Sequence, residues 1–179
     1  MSKQIWEEPI AWATADGTAV ANTTTETAIF PAPTIPANYL ADGRTLRLYA
    51  AGKLSTTGTP TIGFVIRYGA AVSGVNLFTS ELITTASGSA NTNWSVSAVL
   101  TVRSNGSSGT IFCMGDVCVN LTASTATRLA TSISGFDAPA VSAACDLTAA
   151  TALTLAAVWS AASASNPLTG NIYLLEAVN

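Results

Sequence analysis

The sequence has 179 residues, the length of one ordinary domain, with 10 acidic and seven basic side chains and no histidine. Charged residues make up only 9% of the chain, against roughly 25% in an average soluble domain. The basic residues are scattered, which argues against nucleic-acid binding because phosphate contacts require clustered Lys and Arg. No apolar run reaches the roughly 20 residues that span a bilayer. We therefore expect neither a nucleic-acid nor a membrane partner, and we expect protein partners to cover much of a weakly charged exterior.

Apolar and polar residues alternate with a period of two along most of the chain, which predicts strands. Amphipathic stripes with the helical period of 3.6 residues are missing. Many short strands with turns between them predict an all-β, antiparallel β-sandwich. The predicted strands are residues 44–54, 61–68, 75–83, 94–103, 110–121, 126–132, 153–159 and 171–178.

Two of these strands are predicted to form a hairpin. Residues 56–60, with the sequence TTGTP, have the composition of a turn. They lie between the strands 44–54 and 61–68, so we expect these two strands to pair in antiparallel fashion.

The segment 110–121 allows two interpretations. A turn at Gly115 and Asp116 would place Cys113 opposite Cys118 and permit a disulfide between them. One uninterrupted strand would instead place the two thiols on opposite faces, with Gly115 as a bulge or a point of close contact. The alternation continues without a change of phase through Leu121, which favours the single strand. Two tryptophans on apolar strand faces, at positions 94 and 159, are predicted core residues.

The first 12 residues combine charge with two tryptophans. One interpretation is a first strand whose Trp12 enters the core; the other is an arm that docks on a neighbouring subunit with Trp6 as its anchor, since tryptophan is enriched at interface hot spots. The sandwich domain would then comprise residues 13–179. Acidic residues occur where a signal peptide would have its apolar core, so we expect cytosolic synthesis. The candidate interface residues are Lys3, Ile5, Trp6, Glu7 and Glu8.

Most catalytic arrangements are excluded by the inventory of side chains. Without histidine, the usual Ser-His and Cys-His pairs cannot be built, and a carboxylate pair is the remaining option. Asp16, Asp42 and Asp137 fall in turn sequences, where aspartate is explained by turn chemistry. Glu176 is expected to form a structural ion pair with Arg47 or Arg67. We predict no catalytic residue, no cofactor and no metal site.

Two long stretches of the chain have a recognisable pattern. The first contains DGTA at residues 16–19, TTT at 23–25, IPAN at 35–38, GRTLR at 43–47 and AGKLSTTGTP at 51–60, and the second is LTLAAVWSAASASN at 153–166. Trp94 and the run LTVRS at residues 100–104, followed by a glycine-rich turn, agree with the same pattern. In these stretches the chain resembles structural proteins of tailed bacteriophages, and the resemblance extends over residues 16–178.

The resemblance implies a jelly roll similar to the tumour-necrosis-factor fold, assembled as a homotrimer on a virion. Such domains serve as capsid decoration (cement) proteins or as the tips of fibres. The chain begins at Met1 and contains no repetitive shaft, coiled coil or collagen-like run. We therefore expect a decoration protein that binds the major capsid protein on the capsid exterior. The alternative is a head- or tail-fibre tip that binds a host receptor or glycan. The resemblance assigns no capsid-contacting residue.

Overall fold

The computed structural model describes residues 7–121 and 141–178, together with the backbone of residues 128–132. These residues form strands and contain no helix. The described part of the chain therefore has no helix that is long and apolar enough to cross a membrane. The strands are β1 Glu8–Trp12, β2 Thr27–Ala28, β3 Thr34–Ile35, β4 Thr45–Leu54, β5 Thr61–Tyr68, β6 Val75–Thr79, β7 Ile83–Thr84, β8 Thr92–Ser104, β9 Thr110–Asn120, β10 Arg128–Ser132, β11 Thr151–Trp159 and β12 Leu168–Ala177.

The strands form two antiparallel sheets, which confirms the all-β prediction. The front sheet has the order β1-β12-β4-β8-β9-β10. The back sheet has the order β2-β11-β5-β6, with β3 also paired to β11 and β7 to β5. Inward-facing side chains of both sheets belong to one hydrophobic core. The two sheets therefore form the layers of a sandwich-like domain.

The two predicted core tryptophans are buried, as expected, with 1% of each side chain exposed. The ring of Trp94 packs against that of Phe64 at a centroid distance of 5.1 Å. Its indole N–H donates to the carbonyl of Thr169 at 3.2 Å, and the N–H of Trp159 donates to that of Val20 at 3.1 Å. Each indole thus buries a large apolar surface without leaving its donor unpaired.

Residues 110–120 form one strand, as predicted, rather than a hairpin. Cys113 is buried on the inner face of β9, and Cys118 lies on the opposite face, so the two thiols point away from each other. Gly115 pairs with Ala98 without a bulge. A Cβ atom at Gly115 would lie 2.6 Å from the carbonyl oxygen of Ser97, which identifies this glycine as the predicted point of close contact.

The predicted hairpin of the strands at 44–54 and 61–68 is wrong. The first strand, β4, pairs with β12 and β8 in the front sheet, whereas β5 pairs with β11 in the back sheet. Residues 56–60 cross between the sheets, held by a hydrogen bond from the Thr56 hydroxyl to Ala86 O (2.5 Å) and one from the Thr57 N–H to Asn166 Oδ1 (2.9 Å). Turn residues indicate a change of direction but not the sheet in which the next strand lies.

The predicted strand 75–83 is also divided, into β6 and β7. The break lies at Ser80, whose buried hydroxyl oxygen accepts the N–H of Phe64 at 2.9 Å and whose hydroxyl donates to the carbonyl of Glu81 at 2.8 Å. The Ser80 hydroxyl thus takes the place of a backbone carbonyl as the acceptor for the Phe64 N–H, and the regular hydrogen bonding between β5 and β6 ends here.

Residues 8–12 form a strand, but the expectation that Trp12 enters the core is wrong. The register of β1 against β12 shifts between Pro9 and Ala11. Beyond this bulge, Ala11 and Ala13 pack against the core, and Trp12 is 62% exposed. Residues 1–6 lie outside the described residues, and the division into an arm and a domain beginning at residue 13 stays a prediction.

The chain itself covers the outer face of the back sheet. Val65 and Ala156 point away from the core, yet they are 4% and 0% exposed. The guanidinium of Arg67 on β5 binds both carboxylate oxygens of Glu26 at 2.6 and 2.7 Å, and the carboxylate also accepts the N–H of Val72. Burial would raise the pKa of Glu26, but these hydrogen bonds and the charge of Arg67 outweigh it and hold the pKa below its ordinary value.

The core accounts for stability through residues such as Leu48, which is fully buried on β4. We expect Leu48→Ala to lower the free energy of unfolding by about 2–5 kcal/mol, because it leaves a cavity between the sheets. The matched control Leu82→Ala removes the same atoms from a side chain that is 59% exposed, and we expect a change within about 1 kcal/mol. Urea unfolding at one protein concentration measures both, and equal losses would contradict this assignment of the core.

The Glu26–Arg67 pair predicts a pH-dependent contribution to stability. A carboxyl group whose folded-state pKa is lowered stabilises the fold above its unfolded pKa, and this contribution is lost as the pH falls through the folded pKa. We expect Glu26→Gln to cost about 2 kcal/mol at pH 7 and progressively less below the ordinary value of 4.5. Thermal unfolding from pH 3 to 7 tests this, with the exposed Glu81→Gln as control. A Glu26→Gln deficit that does not change over this pH range would contradict it.

Candidate functional site

The outer face of the front sheet carries most of the large apolar side chains that the described residues leave exposed. These are Trp12 (62% exposed), Tyr49 (41%), Val99 (46%), Met114 (51%) and Ile172 (53%), located on β1, β4, β8, β9 and β12. We call these five residues the apolar face. The other exposed large apolar residues in the described part of the chain are Val72, Leu82 and Val141.

The strand register brings the apolar side chains together. Trp12 is paired with Leu174, which is itself paired with Tyr49, so these three form one row across β1, β12 and β4. Val99 is paired with Met114 on the neighbouring strands β8 and β9. Side chains at facing positions of an antiparallel pair are in contact range. The apolar face therefore consists of one group on β1, β12 and β4, one group on β8 and β9, and Ile172, which is paired with Ala51; Arg47 and Ser97 also face outward beside the two groups.

This patch differs from an ordinary solvent-facing sheet surface. An antiparallel sheet with one solvated face places polar side chains outward, and monomeric proteins rarely expose a large contiguous apolar patch. On the outer face of the back sheet Val65 and Ala156 are buried, whereas Tyr49, Val99 and Met114 on the front sheet are exposed. Most of the large apolar side chains that the described residues leave exposed therefore lie on the front sheet.

Charged side chains lie at one end of the apolar face. Arg47 on β4 contacts Glu176 on β12 at 2.5 Å and Glu7, the residue before β1, at 3.1 Å. The hydrogen bond and charge of Glu176, followed by those of Glu7, raise the pKa of the already basic Arg47. Exposed ion pairs of this kind add little stability. Their structural effect is to hold Glu7 above the front sheet, in contact with Arg47 on β4.

The neighbouring Glu8 is also held by its own chain. Its carboxylate accepts a hydrogen bond from the Tyr39 hydroxyl at 2.7 Å, and the guanidinium of Arg44 lies 4.6 Å from the centroid of the Tyr39 ring. Burial, together with the hydrogen bond to Glu8, raises the pKa of Tyr39 to about 12, so the hydroxyl remains a donor at neutral pH. The start of β1 is thus fixed at two points.

Of the predicted interface residues, Lys3, Ile5 and Trp6 lie outside the described residues. The structure places Glu7 and Glu8 at the start of β1, in contact with the same subunit. The ion pair predicted for Glu176 is present, and Arg47 is its partner. A partner-binding role for the five N-terminal residues stays a prediction.

The carboxylates of the described residues are dispersed. Asp42 accepts the N–H of Asn105, and Asp146 accepts the N–H and hydroxyl of Thr148, which lower the pKa of Asp146. No three metal-ligand side chains come together in the part of the chain that the structure describes. Every carboxylate in that part is exposed or ion-paired: Glu7, Glu8, Asp16, Glu26, Asp42, Glu81, Asp116, Asp146 and Glu176.

A cleft of about 300 Å³ opens at the edge of the sandwich beside β1. Its floor includes the rings of Phe30 and Tyr173, whose centroids are 5.2 Å apart. Trp12 stands at the sheet edge, where it borders both the apolar face and the cleft. The sequence did not indicate this cleft because its walls come from separate segments: Ala11, Trp12, Ala13, Thr14, Ala15, Asp16, Phe30, Pro31 and Tyr173.

Comparisons with known proteins assign no family. No family model matches the sequence, and no curated protein matches it. Among solved structures, the chain is similar to the CBM2 module of the evolved Dit of Lactobacillus casei BL23 phage J-1. The two chains are 10% identical, the alignment covers 98% of each, and the TM-score is 0.38. A likeness this weak carries no argument about function.

Proposed function

We propose that the protein is a virion structural protein of a tailed bacteriophage, a capsid decoration protein with a jelly-roll domain that acts as a homotrimer on the capsid exterior. The sequence resemblance suggests the class. The single structural observation that supports a packing function is the apolar face, formed by Trp12, Tyr49, Val99, Met114 and Ile172 on the front sheet. This proposal makes the protein non-catalytic, in agreement with the absence of histidine and the dispersed carboxylates.

Four residues of the apolar face, Tyr49, Val99, Met114 and Ile172, are proposed as the contact between copies of the chain, and Trp12 on the edge strand β1 lies beside this contact. Burial of exposed apolar area contributes roughly 25 cal/mol per Å² to the free energy of association. Because the contact residues are uncharged, the free-energy cost of desolvating ions in the contact is small. Arg47, with its two carboxylates, lies at the rim of the patch, where charges contribute more to orientation than to affinity. The patch thus has the apolar core and polar border of an association surface.

The capsid contact is proposed for the N-terminal arm, with Lys3, Ile5 and Trp6 ahead of the anchored Glu7 and Glu8. Because Glu7 is held above β4, the arm would leave each subunit beside the apolar face. Three arms on one trimer would bind the major capsid protein with avidity, since loss of one contact leaves two. A ligand that binds only the assembled shell stabilises that shell by mass action.

The first prediction concerns the trimer. We expect the wild-type protein to sediment as a trimer and Ile172→Lys to sediment as a monomer with an unchanged circular dichroism spectrum. Ile172 is 53% exposed and is paired with Ala51, so a lysine there would be buried in the contact without an acidic residue paired to it. Val72→Lys is the matched control, since Val72 is 59% exposed on the loop between β5 and β6. A monomeric wild type, or a trimeric Ile172→Lys protein, would contradict the proposed contact.

The second prediction concerns the arm. Deletion of residues 1–6 leaves Glu7 and Glu8 in place, so we expect a folded trimer that no longer binds capsids assembled from the phage's own major capsid protein. Trp6→Ala should weaken binding at least about tenfold if the indole is the anchor. Co-sedimentation with capsids measures both variants, and Leu82→Ala serves as a surface control. Undiminished binding by the deletion variant would refute the role of the arm.

A second candidate function is that of a head- or tail-fibre tip that binds a host receptor or glycan. The observation that favours it is the aromatic cleft at Trp12, because exposed aromatic rings are a feature of sugar-binding surfaces. Binding of the isolated protein to host cells, in competition with phage adsorption, tests this function. Absence of cell binding would leave the decoration function as the better account.

A further inference from the structure

The cleft beside β1 has a rigid aromatic base. Phe30 and Tyr173 pack against each other, and both are buried. Gly170 makes room for Phe30, because a Cβ at Gly170 would lie 2.2 Å from an atom of that ring. The segment 13–17 is tied to β12 by hydrogen bonds from the N–H groups of Ala13 and Gly17 to backbone carbonyls. A site with fixed walls loses little conformational entropy when it binds a ligand.

The rim of the cleft combines an aromatic ring with polar groups. Trp12 is 62% exposed and lines the cleft. Thr14 supplies a hydroxyl that can donate or accept, and Asp16 supplies a carboxylate that accepts. Both side chains are exposed. Among the described residues that line the cleft there is no Lys or Arg, so an anionic ligand would meet the Asp16 carboxylate without a compensating cation from this lining.

These groups select one class of ligand. The apolar C–H face of a sugar ring packs on the electron-rich face of an aromatic side chain, while its hydroxyls donate to a carboxylate and exchange hydrogen bonds with a threonine hydroxyl. An aliphatic peptide side chain would desolvate Asp16 without pairing it. A slender alkylammonium group would pair with Asp16 but would leave the Thr14 hydroxyl and much of the cleft unused. The volume of about 300 Å³ is at the lower limit for small-molecule sites.

We propose that this cleft binds a neutral saccharide, with Trp12 as the stacking platform and Asp16 as the acceptor for two ring hydroxyls. The ligand would be one sugar residue or the end of a longer chain. The inference rests on the second candidate function, glycan binding, and names its site. Trp12 belongs to the apolar face, but it lies on the edge strand β1, outside the residues proposed for the contact between subunits. The inference therefore does not depend on the decoration of a capsid.

The test is titration of the ¹⁵N-labelled protein with single saccharides, followed by NMR. The probes are glucose, galactose, N-acetylglucosamine and their trisaccharides, with 3′-sialyllactose as the anionic arm and butylammonium as the cationic arm. We expect at least one neutral probe to shift the Trp12 indole N–H and the amides of residues 13–16, with a Kd of about 1–10 mM for this small, open site. Sialyllactose and butylammonium should bind at least about tenfold more weakly.

Variants decide whether the cleft is the site. Trp12→Ala and Asp16→Asn should each weaken binding of the neutral probe at least about tenfold, without changing the amide spectrum of β8 and β9. Leu82→Ala is the control, because it removes an exposed large apolar side chain that belongs neither to the cleft nor to the apolar face, and it should bind normally. The proposal is overturned if no neutral probe shifts these signals, if butylammonium binds as well as the sugars, or if Trp12→Ala binds unchanged. Sedimentation of each variant separates loss of the cleft from loss of subunit association.

Discussion

The alternation of side chains along the front sheet is the constraint on which both of its faces depend. Once Leu46, Leu48 and Ala50 are committed to the core, the intervening positions of β4 must point outward. The same constraint acts on β8, β9 and β12, and the antiparallel register aligns their outward residues into rows. A strand cannot bury one set without presenting the other. The exposed apolar residues of the front sheet are therefore a consequence of the same alternation that builds the core.

The chain has few charged side chains, and their positions differ between the outer faces of the two sheets. The few charged groups are used at the margins: Arg47 with Glu176 and Glu7 at one end of the front sheet, and Arg67 with Glu26 across the outside of the back sheet. Val65 and Ala156 on the outer face of the back sheet are buried, while Val99 and Met114 beside the first pair are exposed. The outer faces of the two sheets thus differ in the apolar side chains that they expose.

The strands and the tryptophan core followed from the sequence because alternation and burial are local properties. The pairing of β4 was mispredicted because a turn sequence does not encode which sheet receives the next strand. Trp12 was misplaced because the bulge between Pro9 and Ala11 changes which residues of β1 face the core, and strict alternation along the sequence does not predict a bulge. The apolar face was in principle visible, since Tyr49 and Val99 stand at outward positions of clear strands, but only the register shows that they adjoin other apolar residues. The cleft could not be inferred at all, because three separated segments form it.

The central claim is that other protein subunits cover the apolar face. Hydroxyl-radical footprinting with mass spectrometry tests it directly, because Met114 and Tyr49 are reactive side chains at exposed positions of the patch. The protein is labelled at a high concentration and again after dilution, and Leu82 on the other side of the domain serves as the internal reference. The account predicts that modification of Met114 and Tyr49 is several-fold lower at high concentration, with Leu82 unchanged. Equal modification of Met114 and Tyr49 at both concentrations, and equal again on assembled capsids, would contradict it.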